Sequence, residues 1–451
     1  MSTFLARFVA PFLWRFLLQS QRYSYFFDMR KKQYDPLDSN RELQKENLFR
    51  IVTYATQYIP YYRNLVKERN ISFTKENIFF DIKKFPVLTK EIIRREGDNL
   101  RNLEIAARAN TSGGTTGEPV SFYQDRSSRD FGAATKTLFY EWAGRRDGDY
   151  MVGLWGSERD ILQGGEGVRG ILVRYFTNTH LLNSFKMTPY CMKMYWGVLQ
   201  KNHPKLLLAY VQSAYELARY AEKNKWKVSG IGALMTSAGN LSHYTRNFLE
   251  SVYQCRVFNR YGSREVGDMA CSCEKSESLH LNVFNHFVEV LDDTDEDTDK
   301  NDVGAVHVTT LNNYAMPLLR YRIGDRSSGI DWQEQCSCGR GLPKITKLHG
   351  REVEVFLLSD GSLIDGEYFT HLFYYRRWVE KFQVIQETID KVILRVVKIE
   401  TIDIAEDQKE IEMAIRVIMG ENCQIVWEFI DEIEPLPSGK YLYTISKVKM
   451  I

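Results

Sequence analysis

A strong excess of either charge is missing from this chain. Its 60 Lys and Arg stand against 58 Asp and Glu in 451 residues, a net charge of +2. A nucleic-acid partner calls for a basic excess, so that class is set aside. Cysteine is scarce too: seven residues are too few for a disulfide scaffold in a chain of this length. No apolar run is long enough to span a bilayer. The nearest, residues 4–18, is rich in Phe, Leu, Val and Trp but is broken by Arg7, Pro11 and Arg15. It is too short and too charged for a spanning helix, and no small-residue cleavage site follows it. It fits two settings: an amphipathic helix packed on the protein or on a second copy of the chain in a homodimer, or a helix lying on a membrane surface. Internal repeats are absent as well.

What is present is ordinary globular protein, 44% hydrophobic and 26% charged, too long for one core, so two or three domains are expected. One stretch stands apart: Thr111-Ser112-Gly113-Gly114-Thr115-Thr116-Gly117-Glu118-Pro119. Three glycines and four hydroxyls fall within Thr111 to Gly117. Glycine lets the backbone turn left-handed and approach a ligand closely. Successive N–H groups can then converge on a phosphate, with the hydroxyls as further donors. No Gly-Lys-Ser/Thr follows, so this is not a Walker A loop. Its positive charge must come from a metal or from elsewhere in the chain.

The pattern on either side sorts into layers. Residues 40–105 read as helical, with Pro60 stopping a helix that runs through 50–59 and Thr89 placed as an N-cap. Strands are predicted at 120–123, 150–155, 206–209, 232–237 and 256–258, with helices at 213–223 and 242–252 between them. That alternation describes an α/β sheet covered by helices. Strands follow at 287–291, 305–310 and 318–321. The acidic run from Asp292 to Asp299 lacks the glycine and terminal Glu of an EF-hand and reads as a solvated hairpin tip. Beyond Gly350-Arg351, strands at 382–386, 392–397 and 423–429 and a helix at 407–419 make a small α+β domain.

Four short motifs make sense beside the glycine loop. In Tyr261-Gly262-Ser263-Arg264-Glu265-Val266-Gly267, a planar ring beside glycine can stack on a base, and Glu265 offers a hard oxygen ligand suited to Mg²⁺. In Tyr321-Arg322-Ile323-Gly324-Asp325-Arg326, Asp325 at a strand end can accept from both hydroxyls of a ribose. Pro437-Ser438-Gly439-Lys440 sets a lysine on a glycine turn, although a solvated lysine reads the same way. Ser237-Ala238-Gly239-Asn240 is a small-residue loop at a strand end, suited to lining a nucleotide pocket.

In their order and spacing these motifs, with Ile59-Pro60-Tyr61-Tyr62, Phe85-Pro86-Val87-Leu88-Thr89-Lys90 and Gly339-Arg340…Gly350-Arg351, resemble the adenylate-forming superfamily. The resemblance is to its phenylacetate–CoA ligase branch, and within that to the CapK-type members linked with capsular and surface polysaccharide synthesis. It runs over most of the chain. It implies a large N-terminal domain, residues 1–350, with a helical start, mixed sheets covered by helices and a small β region. A mobile α+β lid, residues 351–451, would carry Lys440.

The implied chemistry is ATP-dependent: a carboxylate becomes acyl-AMP and an acceptor then displaces AMP. Thr111, Ser112, Gly113, Gly114, Thr115, Thr116 and Gly117 would hold the phosphates. Ser237, Ala238, Gly239, Tyr261, Gly262 and Ser263 would line the nucleotide, with Asp325 on the ribose and Arg340 and Arg351 completing the set. Glu265 would bind Mg²⁺ and Lys440 would stabilise the adenylation transition state. The hinge acid that the family carries after Gly-Arg has two candidates, Glu352 and Glu354. Trp155, Gly156 and residues 163–167 are placed at the acyl pocket. The acceptor stays open between an amine, giving an amide on a surface polysaccharide, and the thiol of coenzyme A. A chain that binds AMP without catalysis, as a partner in polysaccharide assembly, is the other class; Glu265, Asp325 and Lys440 together favour the enzyme. The expected setting is the cytoplasm, with or without contact at the inner face of the membrane.

The cysteines read either as reduced, metal-free thiols or as a metal site. Cys271-Ser-Cys273 and His280 follow the Tyr261 motif, and Cys336-Ser-Cys338 follows the Asp325 motif. Three Cys and one His make a closed tetrahedral zinc site, structural because no position is left open. The resemblance favours Cys273, His280, Cys336 and Cys338, with Cys271 as the spare.

Overall fold

The computed structural model describes residues 19–111, 120–155, 177–184, 187–227, 230–239, 241–351, 355–359, 363–374, 376, 378–399, 404–434 and 442–448. The apolar segment 4–18, Ser112 to Pro119, Gly156, residues 163–167, Asn240, Glu352, Glu354 and Pro437 to Lys440 lie outside the described residues. The chain divides into two units. One takes residues 1–323 and 327–348; the other takes 324–326 and 349–451.

The first unit begins with helices α1 (Arg22–Lys32), α2 (Leu37–Tyr58) and α3 (Pro60–Arg69). Along α2, Gln44, Leu48, Ile51, Val52 and Ala55 are buried, the three-and-four spacing of one helix face. Pro60 ends one helix and starts the next. It occupies the first turn of α3, where its missing N–H costs nothing and its fixed φ suits the helix. Thr89 caps α4 (Lys90–Glu96) by accepting from the Ile92 N–H at 3.3 Å.

The strands on either side of the glycine loop, β1 (Arg108–Thr111) and β2 (Ser121–Gln124), pair antiparallel. After α5 (Arg126–Trp142) come β3 (Met151–Leu154), β4 (Thr179–Leu182), α6 (Pro189–Asn202), β5 (Leu206–Tyr210), α7 (Val211–Lys223), β6 (Ala233–Ser237), α8 (His243–Tyr253) and β7 (Arg256–Ser263). Strands β4, β3, β5, β6 and β7 lie side by side in that order, all parallel. The chain steps from β3 to β4 on one side, then returns to continue through β5, β6 and β7 on the other. The reversal lies between β3 and β5, where α/β sheets open a crevice at their carboxyl ends.

Beyond β7 the sheet turns antiparallel through β8 (Gly267–Ser272) and β9 (Leu279–Leu281). After β10 (His286–Leu291), β11 (Val303–Thr310) and β12 (Tyr321–Ser328), two short strands, β13 (Ile330–Asp331) and β14 (Lys344–Ile345), complete its edge. Strands β10 and β11 form an antiparallel pair in a second sheet. The acidic run connects them, with Asp292 Oδ1 accepting from the N–H groups of Thr294 and Glu296, so it is a hairpin connection as expected. The strand expected at 318–321 instead begins at Tyr321. Arg320 has φ +51°, a left-handed kink that a strand cannot pass through.

The second unit has its own core. Strand β15 (Leu348–Arg351) leads to the hairpin β16 (Val355–Leu357) and β17 (Leu363–Asp365), then α9 (Glu367–Tyr374). Strands β18 (Val379–Thr388) and β19 (Lys391–Lys398) form a hairpin. They are flanked in parallel by β21 (Thr444–Ser446) and β20 (Gln424–Phe429), with α10 (Ala405–Met419) between β19 and β20 in sequence. Phe356, Phe369, Phe373, Phe382, Ile411 and Ile415 pack in one cluster with the inner residues of the sheet. Buried Gln386 joins the hairpin to this sheet: its amide bonds the N–H and C=O of Leu357 and accepts from Ser446.

Candidate active site

The parallel register sets the candidate residues in a row. Leu154 stands opposite Ala209, and Tyr210 opposite Ser237, so Trp155, Tyr210 and the Ser237-Ala238-Gly239 turn leave the carboxyl edge together. Trp155 and Tyr210 lie ring against ring, 4.1 Å between centroids, across the reversal between β3 and β5. Ala238 takes φ +58°, an uncommon conformation for a residue with a Cβ. A Cβ on Gly239 would come within 3.1 Å of the Val211 Cβ at the start of α7. The small residues are therefore needed to bend the chain tightly at this edge.

The Tyr261 motif is a strand-to-strand hairpin. Strand β7 runs on through Tyr261, Gly262 and Ser263, and the turn Arg264-Glu265-Val266 leads into β8. A Cβ on Gly262 would approach the Asp268 Cα to 2.8 Å, so the two arms can close only on glycine. Gly267 takes φ +83°, which completes the turn. Tyr261 is buried in the main apolar cluster with Val266 and Met269. The Ser263 hydroxyl is buried without a partner among the described residues. Glu265, half-buried at the tip, has no ion-pair partner among the described residues. Beneath this row Arg260 is buried, paired with Asp268 at 3.2 Å and 5.5 Å from the Trp155 ring centroid.

The cysteine cluster lies farther along the same sheet. Cys273 follows β8, His280 is in β9, and Cys336 and Cys338 lie in the loop joining β13 to β14. Pairing of Lys344 with His280 brings that loop against β9. One donor atom from each of Cys273, His280, Cys336 and Cys338 lies within 4.8 Å of every other. The Cys273 and Cys336 sulfurs are 3.7 Å apart, and Cys338 Sγ is 3.5 Å from His280 Nε2. His280 Nδ1 faces the Leu342 carbonyl at 3.3 Å, which would leave Nε2 as the nitrogen able to ligate a metal. The hydrogen bond from Cys273, then that with His280, draws the Cys338 thiol far below its ordinary range, while sharing its proton with Cys338 pushes Cys273 up. Two thiols contending for one proton suit a cation in their midst. Cys271 is also buried, but its sulfur is not among the four donor atoms that meet.

Comparison with known proteins agrees with this architecture. The CapK C-terminal domain family matches residues 356–447. Protein CapK of Staphylococcus aureus is 24% identical over 446 residues, 96% of this chain and 95% of that protein. The phenylacetate-coenzyme A ligase of Thermus thermophilus is 25% identical over 374 residues, 80% of this chain and 82% of that protein. Among solved structures, 2-hydroxyisobutyryl-CoA ligase in the postadenylation state with R3-HIB-AMP superposes with a TM-score of 0.72 at 17% identity, covering 92% of this chain and 91% of that one. In fold and along its length the chain resembles the adenylate-forming ligases, and within them the phenylacetate–CoA ligase-like branch that includes CapK-type proteins. The amide bond synthetase McbA of Marinactinospora thermotolerans shares the fold more distantly, with a TM-score of 0.51 over 74% of this chain and 66% of that one, at 14% identity.

The other candidate residues fall as follows. Thr111 ends β1 and is exposed. Asp325 is buried within β12, in the three residues that group with the second unit. The backbone of Arg351 ends β15. Arg340, expected at the nucleotide, has other partners. Its guanidinium donates to Glu274 at 2.9 and 3.1 Å and to Gln33 at 3.1 Å, and lies 4.4 Å from the Trp142 ring. Two residues before it sits Cys338, so Arg340 anchors the cysteine loop. Gly341 continues that anchor: its N–H donates to the Gln33 carbonyl and its carbonyl accepts from Asn40, and a Cβ there would strike the Asp35 carbonyl oxygen.

Two polar side chains were missed in the sequence. Asp125 caps α5 by accepting from the Ser128 N–H at 2.8 Å, and its other oxygen accepts from Tyr314 and Ala315 at 2.6 and 3.1 Å. Its position, just before a helical run, carried an N-cap signal, but the long-range half had none. His286 is buried in β10, where desolvation pushes it down to about 4, so the ring is neutral at pH 7. Its Nε2 is 2.8 Å from the Val266 carbonyl and must carry the hydrogen, since a carbonyl only accepts.

Proposed function

We propose that this ligase activates a carboxylate with ATP and passes the acyl group to an amine, in building or decorating a surface polysaccharide. One observation carries the reading: the carboxyl edge of β3, β5, β6 and β7 gathers an aromatic pair, a small-residue turn and a glycine-closed hairpin bearing Glu265. A carboxylate oxygen of the substrate attacks the α-phosphorus of ATP and pyrophosphate leaves with the bonding pair. The amine nitrogen then attacks the acyl carbon, AMP leaves, and the nitrogen gives up a proton. Charge grows on phosphorus, so the protein contributes mainly positioning and electrostatic stabilisation.

In this reading Thr111 and the glycine loop bind the phosphates, and Asp325 holds the ribose. Glu265 would hold Mg²⁺, which supplies charge to the phosphates when bound. Lys440, on the second unit, would serve adenylation as part of a mobile lid. The polysaccharide setting rests on the likeness to CapK alone, and amine transfer is suggested by the fold shared with an amide bond synthetase. Coenzyme A as acceptor is the second reading, favoured by the relative and the solved structure that are CoA ligases. Pyrophosphate release across a panel of uronic and aryl acids identifies the carboxylate, and adding CoA or amino sugars to the loaded enzyme identifies the acceptor. Lys440→Ala is expected to cripple carboxylate-dependent pyrophosphate exchange while ATP still binds; normal exchange would overturn the assignment.

The same reading gives Cys273, His280, Cys336 and Cys338 one structural zinc. Their donor chemistry and mutual distances fit a closed tetrahedral site. Freshly purified protein should contain about one equivalent of zinc, and less than half would count against it.

A further inference from the structure

We propose that His286 is a positioning residue for the turn that carries Glu265, holding that carboxylate where a divalent cation is bound. The inference rests on Glu265 as a Mg²⁺ ligand and adds the group that aims it. The Val266 side chain is buried in the apolar cluster, and its carbonyl takes the His286 Nε2–H at 2.8 Å. Val266 is thus fixed on both sides, one residue after Glu265, while Gly267 supplies the left-handed step.

His286 itself is held independently of the turn. Its carbonyl accepts from Gln44 of α2 at 2.8 Å, and its N–H donates to Asn282. Asn282 in turn reaches Thr135 of α5 at 2.7 Å, and Asn285 accepts from Asn312 at 3.1 Å. Helices α2 and α5 therefore place the imidazole, and the imidazole places the turn.

The ring's other nitrogen supports this direction. Nδ1 is buried with no partner among the described residues, and His286 is 1% exposed. An apolar ring of similar size would fill the space without an orphaned acceptor. What the histidine adds at this position is the bond from Nε2 to the turn.

The test compares variants by the free Mg²⁺ needed for half-maximal carboxylate-dependent pyrophosphate exchange. AMP affinity without Mg²⁺ is measured alongside, and folding is checked by circular dichroism. His286→Phe keeps the ring volume but no donor. His286→Asn places its amide where Nδ1 stood, short of Val266. His286→Gln can present an N–H close to the original Nε2. Phe and Asn should raise the Mg²⁺ requirement roughly tenfold, the worth of one buried hydrogen bond, with AMP affinity unchanged, and Gln should stay near wild type. If Phe fails to fold, Asn against Gln makes the same comparison. Equal behaviour of Gln and the donor-less variants, or a parallel loss of AMP affinity, overturns the proposal. Glu265→Gln is run beside them. No Mg²⁺ shift there removes the ligand role of Glu265 and this inference with it; a shift there but none in His286→Asn removes this inference alone.

Discussion

Arg320 and Glu289 each have side chains only 2% exposed and meet at 3.1 Å. The guanidinium also donates to the carbonyls of Lys83 and Phe85, so one buried cation ties the segment before α4 to β10 at the left-handed entry to β12. Removing one member of such a pair leaves a bare buried charge. Arg320→Met should therefore destabilise the protein by roughly 3–5 kcal/mol, measurable by urea denaturation. Burial outweighs the pull of Arg320 and pushes the Glu289 carboxyl up to about 7. An acid whose pKa is higher folded than unfolded binds more protons in the native state, so its contribution to stability falls as pH rises between the two values. Between about pH 4.5 and 7, wild type should lose stability relative to Glu289→Gln, by at most about 1.4 kcal/mol per pH unit. Parallel melting curves of the two proteins across that range check the sign.

Elements were legible where periodicity was strong. The helix ending before Pro60, the Thr89 cap, and the alternation of strands and helices from β5 to β7 all follow from local pattern and cap chemistry, whereas β4 and α6 had not been expected. Ligand chemistry marked out the Cys and His segments, and the family resemblance picked the four residues whose donor atoms meet. What local pattern could not supply were contacts across long sequence gaps. Arg320 turns left-handed under partners more than 200 residues away, so the strand expected at 318–321 starts late. Arg340 reads in sequence as a nucleotide ligand, and nothing local announces its bonds to Glu274 and Gln33. Asp125 joins both kinds of evidence, a visible cap and an invisible clamp on residues 314–315. Asp125→Ala should cost roughly 3 kcal/mol, a cap plus hydrogen bonds to a charged acceptor. Asp125→Asn, which keeps the cap, should cost less; thermal unfolding of the two variants makes the comparison.

At the scale of the whole molecule, the two units have separate cores, and the proposed metal belongs to the first. Chelation should lower the unfolding transition of that unit and leave residues 356–447 unchanged, a split that hydrogen exchange can read unit by unit. No helix among the described residues is long and apolar enough to cross a membrane. The anchor beyond Cys338 would extend the reach of the proposed ion. Arg340 and Gly341 carry the cysteine loop directly onto Gln33, Asp35 and Asn40, the corner where α1 passes into α2. That corner stands some three hundred positions earlier in the sequence. Amide protons and protease-sensitive bonds there would register an empty metal site, making the start of the chain a remote gauge of an ion it does not touch.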